Sequence, residues 1–406
     1  MHNIFSNDLK TIDIPFILLY NETIISKNII RRGNMQHEEF LYCTPTVFVI
    51  GNEYEILINL NTFGICFVKV GDKFYYEKNS GVLPSERTIV KIRVPQKALD
   101  AAKEYEIIFR QTNERKGYWS TFLPPRTQKI AFKPLEKTEN INIYYISDVH
   151  YKFEIAKQTV SYFGDEIDLY VINGDIGEVE TVQNYLEVCE FVGDIAKGSV
   201  PVLFSRGNHD TRGHLAELYT DYFPCQDKNT YYTFEIGCLG GIVLDCGEDK
   251  YDWREEYDSS KETPVEYLGV NRFHEYREAE LEFLKNISLD KSKINFVVSH
   301  VCPAMTTGES GGLFDIDREL YTEICAELDR IDPSFMLCGH FHSTFLIPPE
   351  KGLIPHKYTV VVGDNLLYSK VEKHYWGTAI VLNKHKAEIM FTDETHTVKE
   401  THVLEF

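Results

Sequence analysis

The 406-residue sequence predicts an all-β sandwich followed by an α/β region with a largely parallel sheet. Up to about residue 133, short apolar or aromatic runs are separated by turns, and helical periodicity is nearly absent. Beyond that point strand-like and helix-like segments alternate, which is typical of βαβ units. The chain also exceeds the ~250–300 residues at which single cores stop growing. We therefore predict one domain over residues 1–135 and another over residues 136–406.

The first region contains seven runs with the composition of strands, at residues 16–20, 46–50, 54–60, 66–70, 74–76, 88–94 and 105–111. Gly71 and Asp72 separate two of these runs in the manner of a hairpin turn. Leu99 precedes Tyr105 by six residues, a spacing that resembles the tyrosine corner of fibronectin type III and immunoglobulin-like sandwiches. The Pro and Thr usually found between them are missing here.

A polar, proline-marked connection at residues 134–140 leads into the second region. Its apolar runs predict strands at residues 141–146, 169–172, 201–204, 231–236, 241–244, 294–299, 335–338, 378–382, 386–391 and 397–404. Helices are predicted at residues 152–163, 179–195, 277–285 and 316–331. We expect two packed sheets, with ligands bound at the carboxyl ends of the parallel strands.

Composition limits the classes of partner. The hydrophobic content of 43% is ample for large cores, and no run of about 18 apolar residues predicts a membrane span. The amino terminus lacks the pattern of a secretory signal, and nine scattered cysteines predict buried, reduced thiols, so we expect a cytoplasmic protein. With 62 acidic and 42 basic residues the net charge is −20, which argues against a long nucleic acid as ligand.

Residues of the kinds that bind metals follow five of the predicted strands. Asp148 and His150 end the run INIYYISDVH, and at positions i and i+2 of an extended segment they would point the same way. The other fragments that follow strands are Gly174-Asp175, residues 207–210 (GNHD), His300 and residues 339–342 (GHFH). Each fragment alone has an ordinary structural explanation, but together they predict a metal site.

These fragments resemble the calcineurin-like metallophosphoesterase superfamily, whose pattern is D-x-H, G-D, G-N-H-[DE], a single His and G-H-x-H. All five blocks occur in the family's order, and the resemblance covers about residues 141–395. It implies an α/β (α+β) fold with four layers, a double β-sandwich flanked by helices. With the small all-β sandwich in front, the layout is similar to that of purple acid phosphatases. Those enzymes carry a Tyr three positions after the bridging Asp, where this chain has Glu178, so we expect no purple Fe³⁺ centre.

The resemblance also implies a site for two metal ions. One ion would bind Asp148, His150, Asp175 and His342, and the other would bind Asp175, Asn208, His300 and His340. Oxygen and imidazole ligands without a thiolate suit divalent Mn, Fe or Zn. A carboxylate shared by two ions can hold them ~3.5–4 Å apart, where both bind a phosphoryl oxygen and together deprotonate a water. The bridging hydroxide would then attack phosphorus in line.

By analogy with the family, His209 lies beside the leaving-group oxygen. It would protonate that oxygen or stabilise the charge that develops on phosphorus, and a purely steric role is the alternative. Asp210 is expected to orient His209 by accepting a hydrogen bond from its other ring nitrogen.

Candidates on the substrate side are less specific. Arg206 and Arg212 flank the GNHD block and could clamp a phosphate oxygen, although a surface or salt-bridged arginine is an equal alternative. Residues 249–276, which include Trp253 and Tyr257, form an aromatic and charged segment that could be a lid over the site or an acidic solvated loop. Residues 308–312 (GESGG) could form a mobile rim.

The sequence therefore predicts a dimetal phosphohydrolase that acts on a small phosphomonoester or phosphodiester, with no membrane partner. A catalytically silent metal-binding interaction protein is the first alternative. A nuclease is the second, and the negative net charge disfavours it.

Overall fold

The apolar runs after residue 45 form strands, because β-branched and aromatic side chains pack well on a pleated surface. The computed structural model describes residues 39–250, 252, 255–256, 265–266, 270–306, 317–364 and 374–406. In these residues the strands are β1 (Thr46–Ile50), β2 (Glu53–Asn59), β3 (Gly64–Val70), β4 (Lys73–Tyr75), β5 (Ile89–Pro95), β6 (Glu104–Arg115), β7 (Ser120–Phe122), β8 (Arg126–Ala131), β9 (Ile141–Ile146), β10 (Leu169–Asn173), β11 (Val202–Ser205), β12 (Tyr232–Ile236), β13 (Leu239–Val243), β14 (Glu255–Glu256), β15 (Val265–Glu266), β16 (Ile294–Ser299), β17 (Phe335–Cys338), β18 (Ser343–Ile347), β19 (Thr359–Asp364), β20 (Gly377–Asn383), β21 (Lys386–Thr392) and β22 (Val398–Glu405).

The four longest helices of the described residues connect parallel strands. The α-helices of the described residues are α1 (Gln96–Ala102), α2 (Phe153–Val160), α3 (Val182–Ala196), α4 (Tyr219–Tyr222), α5 (Phe273–Asn286) and α6 (Arg318–Ile331). Helix α3 begins where the sequence provides a capping box: the Thr181 side chain accepts a hydrogen bond from the backbone N–H of Asn184, whose side chain accepts one from Thr181 N.

Two large sheets contain most of the strands. The first has nine strands in the order β22-β21-β20-β9-β10-β11-β1-β2-β5, and β9, β10, β11 and β1 run parallel. The second has six strands in the order β12-β13-β16-β17-β19-β18, with β13, β16, β17 and β19 parallel. A smaller sheet has the order β4-β3-β6-β7, with β8 also paired to β6.

Three hydrophobic clusters define four layers. Ile143 and Val171 of the first sheet share one cluster with Phe296 and Leu337 of the second, which forms the core between the sheets. The outer face of the first sheet packs against α2 and α3, and that of the second packs against α5 and α6. This arrangement confirms the predicted α/β fold with flanking helices.

The region before residue 135 is rich in strands, as predicted, but it differs from a self-contained sandwich. Strand β1 pairs in parallel with β11, with Phe48 opposite Val202, and β2 and β5 continue the same sheet. Residues Phe40–Phe406 form one compact unit. The difference arises because β1 is buried on both faces and so can extend the nine-stranded sheet instead of closing a separate one. The predicted strand at residues 16–20 lies outside the described residues.

The predicted tyrosine corner is not formed. Leu99 lies in α1, and the Tyr105 hydroxyl donates a hydrogen bond of 2.9 Å to the carbonyl of Gly198, which is 93 residues away in the chain. Tyr105 therefore ties the small sheet to the turn after α3. A spacing shared with sandwich domains was misleading here, because the intervening residues form a helix instead of a loop.

The structure also describes the cysteines and the lengths of the helices. All nine cysteines are free thiols, and six of them are buried. No helix in the described part of the chain has both the length and the apolar character that crossing a membrane requires.

His356 is a buried histidine in the loop before β19. Its side chain is fully buried, and neither ring nitrogen has a hydrogen-bond partner among the described residues. Burial lowers the pKa of His356, although the nearby carboxylates of Asp329 and Glu350 oppose this shift. The folded chain therefore binds a proton at this ring less readily than the unfolded chain does.

We predict that His356→Phe stabilises the protein more at low pH than at high pH. The folded-state pKa is depressed, so the wild type loses stability as the pH falls through the unfolded value of about 6.5, and the variant does not. Thermal unfolding at about pH 8 and about pH 5.5 measures the difference in Tm between variant and wild type. The same substitution at the exposed His214 is the control. A difference that is equal at both pH values would contradict the prediction.

Candidate metal centre

Five strand ends bring the predicted metal-binding residues together. Strands β9, β10 and β11 of the first sheet lead to Asp148 and His150, to Asp175, and to Asn208 and His209. Strands β16 and β17 of the second sheet lead to His300 and to the pair His340 and His342. Because all five strands are parallel members of the two packed sheets, their carboxyl ends meet at one edge.

The first cluster contains Asp148, His150 and His342. One potential ligand atom from each lies within 4.8 Å of the others, and Asp148 Oδ1 is 3.1 Å from His342 Nε2. The other oxygen of Asp148 accepts hydrogen bonds from the Ser147 hydroxyl and from the backbone N–H of His340. The carboxylate is thereby held with one oxygen directed at the cluster.

Asp175 lies between the first cluster and the second. Its Oδ2 is 3.9 Å from His150 Nε2 and 3.2 Å from His300 Nε2. Its Oδ1 accepts a hydrogen bond of 2.8 Å from the backbone N–H of His209. One oxygen of Asp175 is therefore fixed by the protein, and the other faces residues of both clusters.

The second cluster contains Asp175, His300 and His340, with Asn208 beside them. The His300 ring is oriented by its Nδ1, which lies 2.6 Å from the carbonyl oxygen of Asn173. One end of the Asn208 amide lies 2.8 Å from His340 Nδ1, 3.2 Å from His300 Nε2 and 3.3 Å from Asp175 Oδ2. The other end lies 3.2 Å from Arg212 Nη2.

The chemistry of these atoms fits two divalent cations. Asp148 Oδ1 and His150 Nε2 are buried without a hydrogen-bond partner among the described residues, and a cation would satisfy both. The Asn208 amide has two possible orientations. With its nitrogen toward His300 and His340 it donates hydrogen bonds to the cluster, and with its oxygen in that place it offers the cluster a fourth ligand atom. A cation favours the second orientation. Carboxylate, amide and imidazole ligands suit Mn²⁺, Fe²⁺ or Zn²⁺.

The backbone at the ligands is strained, which corrects one prediction. Strand β9 ends at Ile146, and Asp148 and His150 have φ values of 51° and 41°, so they do not lie on an extended segment. Backbone hydrogen bonds from Asp148 N to Gly174 O and from His150 N to Asp175 O hold this turn. Positive φ values also occur at Asp175, His340 and His342. Such conformations cost of order 1–3 kcal/mol each and are typical of functional sites.

Two motif glycines allow the turns to approach each other. A Cβ at Gly207 would collide with the Asp175 side chain and backbone. A Cβ at Gly339 would collide with the Ser147 hydroxyl and the Asp148 carboxylate. The glycines of the G-N-H and G-H-x-H fragments are therefore needed for close packing around the two carboxylates.

His209 lies beside both clusters. Its ring centroid is 5.0 Å from that of His150, and its Nε2 is 3.5 Å from Arg212 Nη1. Burial lowers the pKa of His209 to about 4; Asp175 opposes this shift and Arg212 adds to it. Burial also tends to lower the pKa of His300, but Asp175 and Asp148 outweigh it and raise the value to about 10.

The prediction for Asp210 is wrong. Its Oδ2 accepts hydrogen bonds from the backbone N–H groups of Gly207 (2.8 Å) and Asp175 (3.0 Å), and it does not orient the His209 ring. Asp210 is buried between the two turns, and burial together with Asp175 raises its pKa to about 7. Its contribution is to join the turn after β10 to the turn after β11.

The two arginines already have carboxylate partners. Arg206 pairs with Asp245 (2.8 Å) and packs against the rings of Tyr219, Phe273 and Tyr276, so the predicted phosphate clamp is not supported there. Arg212 pairs with Glu248 and Asp249. Trp253, Tyr257 and residues 308–312 lie outside the described residues.

Sequence reasoning did not single out Ser147, Glu248 or Asp249. Glu248 and Asp249 follow β13, another parallel strand of the second sheet, and both are buried. The rule that found the other residues, polar groups at the carboxyl end of a parallel strand, would have identified them. No motif marks them in the sequence, where residues 249–276 are predicted to be either a lid over the site or an acidic solvated loop.

We predict that divalent metal stabilises the protein. The ligand atoms come together only in the folded chain, so a bound ion stabilises by RT ln(1 + [L]/Kd), about 4 kcal/mol at a thousandfold excess over Kd. Thermal unfolding of the metal-free protein with and without Mn²⁺ measures this as a rise in Tm. His342→Ala should reduce the rise, whereas His214→Ala, at an exposed position, should not. An unchanged Tm across a Mn²⁺ titration would contradict the prediction.

Comparison with known proteins identifies the family. The family model of the calcineurin-like phosphoesterases matches residues 141–344. A search of curated proteins gives no match. Among solved structures, a purple acid phosphatase from seeds of yellow lupin (Lupinus luteus) is 10% identical with a TM-score of 0.57, over 89% of this chain and 74% of that one. The structure of PhoD is 11% identical with a TM-score of 0.50, over 92% of this chain and 90% of that one.

At these identities the structural likeness concerns the fold alone. The family model, in contrast, spans half of the chain and includes all five fragments whose side chains meet at the strand ends. The chain belongs to the calcineurin-like phosphoesterase family and is a metal-dependent phosphoesterase.

Proposed function

We propose that the protein hydrolyses a small phosphomonoester or phosphodiester with two divalent ions, Mn²⁺, Fe²⁺ or Zn²⁺, as cofactors. The observation that carries this proposal is that one oxygen of Asp175 faces His150 of the first cluster and His300 of the second, with His209 beside both clusters. A single structural metal would need neither a shared carboxylate nor an adjacent histidine.

The two ions would be held by different residues. Asp148, His150, Asp175 and His342 would hold the first, and Asp175, Asn208, His300 and His340 would hold the second. When bound, a metal pair polarises a phosphoryl oxygen and supplies an activated water at neutral pH. The protein fixes the ligands through Ser147 on Asp148, the Asn173 carbonyl on His300 and the His209 N–H on Asp175.

His209 is proposed to support the leaving group. It is partly exposed and lies next to His150, so a phosphate ester near the first cluster would be within reach of its ring. The negative charge of a phosphate ester favours a proton on the imidazole, which can then pass to the departing oxygen. Arg212 pairs with Glu248 and Asp249, so we do not expect it to clamp the substrate. Its guanidinium instead lies next to His209 and helps to lower the pKa of that ring.

The alternatives make different demands on the chain. A silent interaction protein requires no complete pair of clusters, and a nuclease for long polymers requires a basic surface that a net charge of −20 does not favour. We also propose a cytoplasmic location, which the nine free cysteines support.

We predict that the Mn²⁺-loaded protein hydrolyses members of a panel of nucleotides, cyclic nucleotides, sugar phosphates and phospholipid headgroup diesters. Asp175→Asn should reduce the release of phosphate or alcohol to the level of a blank without enzyme, because it weakens both clusters. His214→Asn is the control with an intact site. A wild type that hydrolyses no ester in the panel would favour the interaction protein, and cleavage confined to DNA or RNA would favour the nuclease.

We predict that His209→Asn slows the hydrolysis of alkyl esters about 10²–10⁴-fold in kcat/KM, the usual contribution of a general acid. The loss should be much smaller for a p-nitrophenyl ester, whose leaving group needs no proton. Parallel kinetics on the two ester types give the comparison, with His214→Asn as the control. Equal losses on both would show that His209 contributes by another means, such as stabilising charge on phosphorus.

A further inference from the structure

A pair of acidic residues, Glu248 and Asp249, lies at the end of β13 next to the second cluster. Both are buried, with 1% and 7% of their surface exposed. Asp249 Oδ2 is 3.4 Å from His340 Nε2, and Asp249 Oδ1 is 2.7 Å from Arg212 Nη2. Asp249 therefore contacts a proposed ligand of the second ion and the arginine beside His209.

Helix α5 holds the loop that contains Glu248 and Asp249. Arg277 of α5 is fully buried, and its guanidinium donates hydrogen bonds to the backbone carbonyls of Cys246 and Glu248. The backbone N–H of Asp249 also lies 2.9 Å from Glu248 Oε1. The position of Asp249 is thus fixed by contacts that do not involve the clusters.

The two nitrogens of the His340 ring face different surroundings. Nδ1 faces the Asn208 amide at 2.8 Å, on the side of the second cluster, and Nε2 faces Asp249. A neutral imidazole has one N–H and one lone pair, and the group that accepts from the N–H decides which nitrogen carries the lone pair. A carboxylate at Nε2 places the proton there, so that Nδ1 carries the lone pair that can bind a cation.

We propose that Asp249 is a positioning residue that fixes the His340 tautomer for the second metal ion. The inference rests on the proposed two-ion function. One oxygen of Asp249 already pairs with Arg212 and Lys250, and the other faces His340 Nε2, so the carboxylate is placed to accept the Nε2 proton. The same contact orients the ring plane toward Asn208 and Asp175.

Asparagine at this position would reverse the tautomer. The amide oxygen would remain with Arg212, which is the closer partner, and the NH₂ group would face His340 Nε2. Nε2 would then have to accept, and the proton would move to Nδ1, where the cation should bind. Alanine removes the acceptor but imposes no wrong tautomer, because water can accept the Nε2 proton.

The two substitutions therefore distinguish positioning from packing. If Asp249 only fills space or pairs with Arg212, the isosteric Asn variant should be milder than Ala. If Asp249 fixes the tautomer, Asn should be the more damaging. Comparable ligand-orienting residues contribute 10–100-fold to metal affinity.

The test is a Mn²⁺ titration of the metal-free full-length protein by calorimetry, with no substrate present. We expect Asp249→Asn to weaken the second of two binding events 10–100-fold and to leave the first unchanged. Asp249→Ala should weaken the second event less. Electron paramagnetic resonance at two equivalents of Mn²⁺ should show a coupled pair in the wild type and isolated Mn²⁺ in Asp249→Asn.

Glu248→Gln is the matched control, because it replaces the other carboxyl group of the pair, which contacts Arg212 and the backbone N–H of Asp249 and not His340. It should leave both binding events unchanged. The inference is overturned if Asp249→Ala is as damaging as Asp249→Asn, if neither weakens the second event, or if Glu248→Gln weakens it equally. Failure of the proposed function is a separate result: a wild type that binds two Mn²⁺ ions but cleaves no ester.

Discussion

The site depends on two carboxylates, Asp148 and Asp175, held together in a buried place. Both are almost fully buried, and each gives one oxygen to protein donors while its other oxygen faces the neighbouring histidines. Two negative charges so close to each other need positive charge nearby. The two carboxylates favour a proton on His300: burial lowers the pKa of this ring, but Asp175 and Asp148 outweigh burial and raise it to about 10. A divalent cation would bind the same lone pair of His300, so a proton and a metal ion compete for this nitrogen.

The backbone around these carboxylates is held in conformations that isolated chains avoid. Five of the proposed ligands have positive φ values, at of order 1–3 kcal/mol each. The free-energy cost of these backbone conformations is offset by the packing of the two sheets, whose inner faces share one large apolar core. Rigid parallel strands on either side of the site keep the turns from relaxing. The fold and the ligand geometry are therefore linked: the strands stabilise turns that would not form alone.

Much of the fold and most of the site could be predicted from the sequence, because each ligand motif directly follows an apolar run. This local pattern predicts where the strands lie. Because the carboxyl ends of parallel strands converge, it also predicts that the motifs meet. Contacts between distant residues were the part that could not be predicted. Asp210 binds the backbone of Asp175, Arg206 pairs with Asp245, and β1 joins β11 across about 150 residues. The direction of Asp148 and His150 was also missed, because it depends on positive φ values in residues that rarely adopt them.

The pairing of β1 with β11 affects how the chain can be divided. Strand β11 leads directly into the GNHD segment, and β1, β2 and β5 complete its sheet on that side. A chain that begins at residue 136 would keep every motif, yet it would expose the edge of β11 next to the site. Open edges of this kind invite pairing with other chains and aggregation. Strands β1, β2 and β5 thus belong to the sheet that carries the site, and their loss would reduce solubility and disturb the site together.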